Sequence, residues 1–247
     1  MTLHFNITIE ELGHTLEPVM QQLIATHHER DTTGLQLTDP SRLTQAMQQV
    51  LAILNSIEAQ SGPESVEAEN LTVDQIDLGE LGEYGLGLLS QLTDWQNIFQ
   101  LENTGELYKA TLSLALWLAN QGGKIRNLEH LVNSVSFLAN RSRDKAILEN
   151  LAEVITFVID AIDPALKEDL PGSPWLFLNM NYGIVATRSH NPDIMNKVFD
   201  KLLLNIPNNV GSFFQEGMEQ MDTVGYPDHV RKIMQKYYNR SRHRVLH

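Results

Sequence analysis

The stretch that most constrains the fold is Leu107–Asn120, LYKATLSLALWLAN, the most apolar segment of the chain. Apolar residues surround most of its helical axis, and a helix that is apolar on every side is buried on every side. The apolar run is far shorter than the ~20 residues that a membrane span needs. We therefore expect a central buried helix that begins behind an Asn103–Glu106 capping pair and ends at Gly122-Gly123.

Two further helices are predicted directly after this one. Asn127 precedes an amphipathic segment that ends near Ala139, and Ser142 precedes another that ends at Asp163-Pro164. Short connections favour antiparallel neighbours, so residues 106–163 should form one helical layer around which the chain packs. We expect the following side chains to share one core: Leu112, Leu116, Leu131, Val135, Leu151 and Val158.

The rest of the chain also favours helices, because no convincing period-2 strand occurs. Residues 72–84, which contain several glycines, predict a loop or weak helix before a helix that ends at Phe99. Residues 61–70 are polar and acidic, which predicts an exposed, flexible loop. The prediction is one all-α domain, residues 1–247, with roughly ten helices in successive antiparallel hairpins, as an irregular helical bundle or a solenoid-like array.

The residue types present exclude several chemistries. The chain has no cysteine, which removes disulfides, cysteine-ligated zinc, iron–sulfur clusters and thiol catalysis. The densest group of potential metal ligands is His27-His28-Glu29, but adjacent helical residues point ~100° apart and suit a solvated helix end better. We expect no metal, no cofactor and no catalytic residue, with His27, His28 and Glu29 kept as candidate metal ligands.

Charge is distributed unevenly along the chain. The net charge is −13, and residues 1–100 alone account for it, since their only basic residues are Arg30 and Arg42. Residues 231–247 contain six basic residues and no acidic one. Such asymmetry concerns association rather than fold. The asymmetry predicts a homodimer or a protein partner. The basic tail, residues 239–247, is expected either to solubilise the chain or to dock on the acidic half. The acidic remainder argues against nucleic acid as a partner.

Partner-binding residues are expected near the C-terminus. The helical spacing of Phe213, Phe214, Met218 and Met221 predicts either ordinary core or an adaptable groove that contains methionine. For association we select aromatic and apolar residues of the last two helices together with the arginines that follow: Phe213, Phe214, Met218, Tyr237, Tyr238, Arg240, Arg242 and Arg244.

Three functions remain open from the sequence. The first is a non-enzymatic helical scaffold or adaptor that mediates protein–protein association. The second is an all-α enzyme or small-ligand binder with a site between helices, built from histidines such as His27, His28, His130, His190 or His229. The third is a nucleic-acid-associated protein that acts through the basic tail. The N-terminus lacks the basic and apolar regions of a signal peptide, so we expect a cytoplasmic location without a membrane partner.

Overall fold

The computed structural model describes residues 8–30, 32, 34–60, 77–101 and 105–244. Over these residues the chain forms ten α-helices and no strand, which confirms the all-α prediction. The helices are α1 Ile9–Glu29, α2 Pro40–Gln60, α3 Leu78–Phe99, α4 Gly105–Asn120, α5 Leu128–Arg141, α6 Lys145–Ala161, α7 Pro174–Ser189, α8 Pro192–Asn205, α9 Val210–Val224 and α10 Asp228–Arg244, with a short 3₁₀ helix at Pro164–Leu166. The predicted loop at 61–70 lies outside the described residues.

The chain divides into two compact units, His4–His130 and a C-terminal unit that begins at Leu131. In the N-terminal unit α1, α2, α3 and α4 pack against one another. The most apolar helix, α4, is buried on every side as predicted, since Leu107 and every residue from Ala110 to Leu118 are buried. It ends where Gly122 adopts a left-handed conformation with φ 76° and Gly123 donates a backbone hydrogen bond to Leu118.

Residues 78–84 are helical, so of the two predicted alternatives, a loop or a weak helix, the structure has a helix over this described part. Helix α3 begins at Leu78, and the Asp77 side chain caps it by accepting the backbone N–H groups of Gly79 and Glu80. A Cβ on Gly82 would lie 2.6 Å from the methyl groups of Leu118 in α4. The glycines therefore allow α3 to approach α4 closely, and this packing outweighs their low helix propensity.

The C-terminal unit is built from consecutive helix pairs, since α6 packs on α7, α7 on α8 and α9 on α10. Side-chain caps fix several helix starts. The residue that caps α6 lies two positions later than predicted, because the carboxylate of Asp144, and not Ser142, accepts the N–H of Ala146 at 2.9 Å. Ser173 and Asn191 each cap a helix whose first residue is proline.

The six side chains expected in the core are all buried. Leu112 and Leu116 contribute to the N-terminal unit, and Leu131, Val135, Leu151 and Val158 contribute to the C-terminal unit. Helix α10 continues to Arg244, so residues 239–244 of the predicted tail are helical. Only residues 245–247 of that tail lie outside the described part of the chain.

Candidate functional site

The candidate metal ligands His27, His28 and Glu29 lie at the end of α1. The ring of His27 packs edge-on against Trp95 with 5.1 Å between centroids, and its Nε2 lies 3.1 Å from Thr32 Oγ1. His28 and Glu29 are exposed. Among the residues that the structure describes, no group of three His, Asp or Glu side chains is placed to hold a metal ion. The position of His27 is that of a helix-end residue packed against its neighbours.

The aromatic residues selected for partner binding form the core of the C-terminal unit. Phe213, Phe214 and Tyr237 are 8%, 0% and 1% exposed. They surround Phe199 of α8 at centroid distances of 6.1, 5.1 and 5.2 Å, with edge-to-face geometry. Burial, together with the nearby Asp200 carboxylate, raises the pKa of Tyr237 to about 12. The structure therefore brings these three residues together, but as packing against α8.

The basic residues of α10 contact acidic residues of the same unit. Arg240 Nη1 lies 2.5 Å from Asp200 Oδ1 of α8, and Arg231 Nη2 lies 2.6 Å from Asp222 Oδ1 of α9. The Arg242 guanidinium lies 5.6 Å from the ring centroid of Tyr238, which is half-buried. The two ion pairs join α10 to α8 and α9. Arg231 and Arg240 thus meet acids of their own unit, whereas the sequence predicted a tail that solubilises the chain or docks on the acidic half.

An open apolar groove lies between α7, α9 and α10. It has a volume of about 300 Å³. Its wall is apolar and rich in methionine, with Glu216 and Gln220 as polar lining residues; the apolar residues are Met180, Ile184, Phe213, Met221, Val224 and Met234. Ile184 and Val224 are 44% and 59% exposed, which is high for aliphatic side chains. The groove therefore offers uncovered apolar surface beside carboxylate and amide groups.

Two glycines shape the helices around this groove. A Cβ on Gly183 of α7 would lie 2.8 Å from Leu202 and closer still to the Phe213 ring, and a Cβ on Gly217 of α9 would lie 2.8 Å from the Met234 sulfur. Both positions therefore require glycine for the observed helix spacing. On α7, the apolar side chains of Phe177, Met180 and Ile184 recur at i, i+3 and i+7, and Phe177 is 49% exposed.

Part of this groove was predicted from the sequence. Phe213 and Met221 of the predicted adaptable groove do line it, but Phe214 and Met218 are not among its lining residues, and Met218 is half-buried. The α7 contribution of Met180 and Ile184 was not predicted. The sequence feature that could have indicated it is the distribution of apolar residues around the whole of α7. In the structure one side of this helix is exposed to solvent. An apolar residue on an exposed helix face is a sign of a binding surface only when it forms part of a patch.

The histidines named for an inter-helix site occupy three separate places, of which the end of α1 with His27 and His28 is described above. In the N-terminal unit, His130 is 5% exposed, and its Nε2 lies 2.8 Å from the Thr111 hydroxyl. Burial lowers the pKa of His130 to about 4, so the ring is neutral near pH 7. In the C-terminal unit the rings of His190 and His229 lie 6.4 Å apart, and His229 Nε2 donates to the His190 carbonyl oxygen at 2.9 Å.

Arg188 of α7 completes the carboxyl end of α5. Its Nη1 donates to the carbonyl oxygen of Ala139 at 2.8 Å, and its Nη2 donates to that of Ser142 at 2.6 Å. The carbonyls at a helix end have no partner within the helix, and a cation placed there is favoured by the helix dipole. Arg188 is thus fixed in place by two hydrogen bonds to neutral acceptors.

Within the described ranges, no helix combines the length and the apolar character that crossing a membrane requires. Comparison with known proteins found no matching family model, no matching curated protein and no matching solved structure.

Proposed function

We propose that the protein is a non-enzymatic adaptor that binds an amphipathic helix of a protein partner in the groove between α7, α9 and α10. The observation that carries the proposal is the uncovered apolar wall of this groove, with Ile184 and Val224 exposed at 44% and 59%. Helix-in-groove recognition uses such surfaces, in which apolar anchors at i, i+3 or i+4, and i+7 enter a hydrophobic cleft.

The size of the groove favours side-chain anchors over a cofactor. Its volume of about 300 Å³ is at the lower limit of the ~300–1,000 Å³ typical of small-molecule sites. Methionine side chains adapt to different shapes, and Met180, Met221 and Met234 supply three of them here. A few apolar side chains from one face of a helix would therefore fill the space.

Acidic side chains beside the groove predict basic residues beside the apolar face of the partner helix. Glu216 lines the groove and is exposed, and Glu219 is exposed one turn further along α9. No ion pair of either carboxylate occurs within the part of the chain that the structure describes. A partner helix with Lys or Arg beside its apolar face would complement these groups and would associate faster at low salt.

The test is selection from a displayed library of amphipathic helical peptides with basic flanks. We expect selected peptides to bind the wild-type chain with micromolar affinity and to bind Ile184→Asp and Val224→Asp at least tenfold more weakly. Leu204→Asp is the matched control, because Leu204 is 72% exposed on α8 and is not among the groove residues. Equal binding to Val224→Asp and Leu204→Asp would contradict the proposal.

Methionine methyl signals provide a second readout that locates the bound peptide. The resonances of Met180 and Met221 should shift on binding, whereas that of Met47, which is buried in the N-terminal unit, should not. Shifts at Met47 with none at Met180 would place the peptide elsewhere and would exclude the groove.

Self-association is an alternative that the charge asymmetry predicts, and light scattering tests it. A mass of twice 27.9 kDa that returns to the monomer value in Val224→Asp would identify a second copy as the occupant of the groove, against the proposed partner. A cytoplasmic location also remains a prediction, which fractionation of the source cell would check.

A further inference from the structure

A second pocket lies at the junction of the α5–α6 connection, the end of α7 and the α9–α10 turn. It has a volume of about 240 Å³. Its polar lining is formed by Arg143, Arg188, His190 and Tyr226, and its apolar lining by Leu148 and Val224. All of these residues belong to the C-terminal unit.

Positive charge at this pocket is not neutralised by a carboxylate. Neither Arg143 nor Lys145 forms an ion pair within the described ranges, and Arg188 binds only the two carbonyl oxygens at the end of α5. The neighbouring acids have other partners. Asp144 accepts the N–H of Ala146 at 2.9 Å, and Glu149 accepts the side-chain amide of Asn191 at 3.2 Å.

His190 adds a polar atom that is enclosed and unused. Its Nδ1 is buried and has no hydrogen-bond partner among the described residues. The backbone of His190 is left-handed with φ 59°, which ends α7 and directs the chain past the pocket. Burial, and then the positive charges of Lys145 and His229, lower the pKa of His190. A nearby anion would relieve the repulsion from these cations.

Tyr226 forms the side of the pocket next to the groove. Its ring lies 5.4 Å from that of His190 in an edge-to-face arrangement. Burial raises the pKa of the Tyr226 hydroxyl, so this group remains a hydrogen-bond donor near pH 7. The Arg188 charge opposes this shift, and Arg188 and Tyr226 both line the pocket.

We propose that the pocket bounded by Arg143, Arg188, His190 and Tyr226 binds a phosphate monoester. A phosphate monoester carries close to two negative charges near pH 7 and has three acceptor oxygens. It therefore suits a site with the guanidinium groups of Arg143 and Arg188 and the nearby Lys145 cation. The volume of about 240 Å³ is roughly eight times the ~30 Å³ share of one liquid water. The phosphoryl group therefore leaves room for its ester substituent against Leu148 and Val224.

The experiment is a calorimetric and NMR titration of the full chain with phenyl phosphate, inorganic phosphate and phenol. We expect saturable binding of phenyl phosphate, weaker binding of inorganic phosphate at the same backbone resonances, and none of phenol. Arg143→Gln should weaken phenyl phosphate about tenfold, as loss of one charge-assisted contact predicts. Arg143 is exposed and makes no described hydrogen bond, so the variant should fold normally.

Lys232→Gln is the matched control, because Lys232 is an exposed cation on α10 that does not line the pocket. This variant should bind phenyl phosphate as the wild type does. Three outcomes would overturn the proposal: no saturable binding at millimolar phenyl phosphate, equal weakening in Arg143→Gln and Lys232→Gln, or shifts confined to residues outside 143–148, 188–190 and 224–226. Val224 and Tyr226 line both the groove and this pocket. The two tests are still read separately, because the phosphate test uses Arg143→Gln and Arg143 does not line the groove.

Discussion

Protonation of His130 should make the N-terminal unit unstable in mild acid. The side chain is 5% exposed, and burial lowers its pKa from 6.5 to about 4 in the folded chain. The neutral ring contacts the Thr111 hydroxyl at 2.8 Å, and the charged ring would lack the hydration that it has in the unfolded chain.

The magnitude follows from the two pKa values. Below about pH 6.5 the unfolded state binds a proton that the folded state does not, so the free energy of unfolding falls as the pH falls. The full difference between 6.5 and about 4 corresponds to about 3 kcal/mol, at ~1.4 kcal/mol per unit of pKa. The contribution is complete above the unfolded pKa and is lost as the pH falls through the folded pKa. Between about pH 6.5 and pH 5 the loss should be about 2 kcal/mol.

The assay is urea unfolding of the wild type and of His130→Asn from neutral pH to mild acid. Trp95 and Trp117 in the same unit supply fluorescence, and circular dichroism supplies an independent signal. Asparagine can still bond to the Thr111 hydroxyl but does not titrate, so the variant should lose about 2 kcal/mol less over this range.

A variant of a second histidine provides the control, and direct NMR titration of His130 tests the argument. His14→Asn is the matched control for the loss of a histidine, because the His14 side chain is 79% exposed. Ring proton shifts in NMR measure the pKa of His130 itself. A measured pKa near the unfolded value, or equal pH slopes for the wild type and His130→Asn, would refute the argument.

Three further substitutions test the packing. Leu116→Ala removes a side chain that is 5% exposed and should cost about 2–5 kcal/mol in urea unfolding; a cost below about 1 kcal/mol would contradict its core position. Gly87→Ala should stabilise the chain by up to about 1 kcal/mol, because a Cβ there meets nothing within 4 Å inside a helix. Gly183→Ala should destabilise it, since the added Cβ would overlap Phe213 and Leu202 and such overpacking typically costs about 1–3 kcal/mol. If Gly183→Ala melts as high as Gly87→Ala, the close helix approach is wrong.

The fold could be predicted where a segment's own pattern decides its environment. Helix α4 is apolar on every side and is buried on every side, whatever the rest of the chain does. Residues 78–84 could not be predicted in this way, because glycine there serves a contact with Leu118, which lies far along the chain. The glycine content of a segment alone does not distinguish a loop from a closely packed helix.

The candidate sites were harder to predict because they depend on which face of a helix is covered. The helical spacing of Phe213 and Phe214 identifies an apolar face but not what covers it, and α8 covers it through Phe199. The pocket proposed to bind a phosphate monoester combines Arg143, Arg188 and Tyr226 from three distant parts of the chain. No local motif links such residues, so only the folded chain shows that they share a cavity.

The hydrogen bonds from Arg188 to the end of α5 have a consequence for the order of events during synthesis. The carbonyl groups of Ala139 and Ser142 accept hydrogen bonds from Arg188, which is synthesised 49 and 46 residues later. At the ~5–20 residues per second at which chains are made, that delay is roughly 2–10 s. The Ala139 carbonyl also accepts the N–H of Ser142 at 3.3 Å, but during this time the Ser142 carbonyl must bind water, and the last turn of α5 can fray. Helix α5 is therefore synthesised early, but the hydrogen bonds that stabilise its carboxyl end form only after α7 has been synthesised.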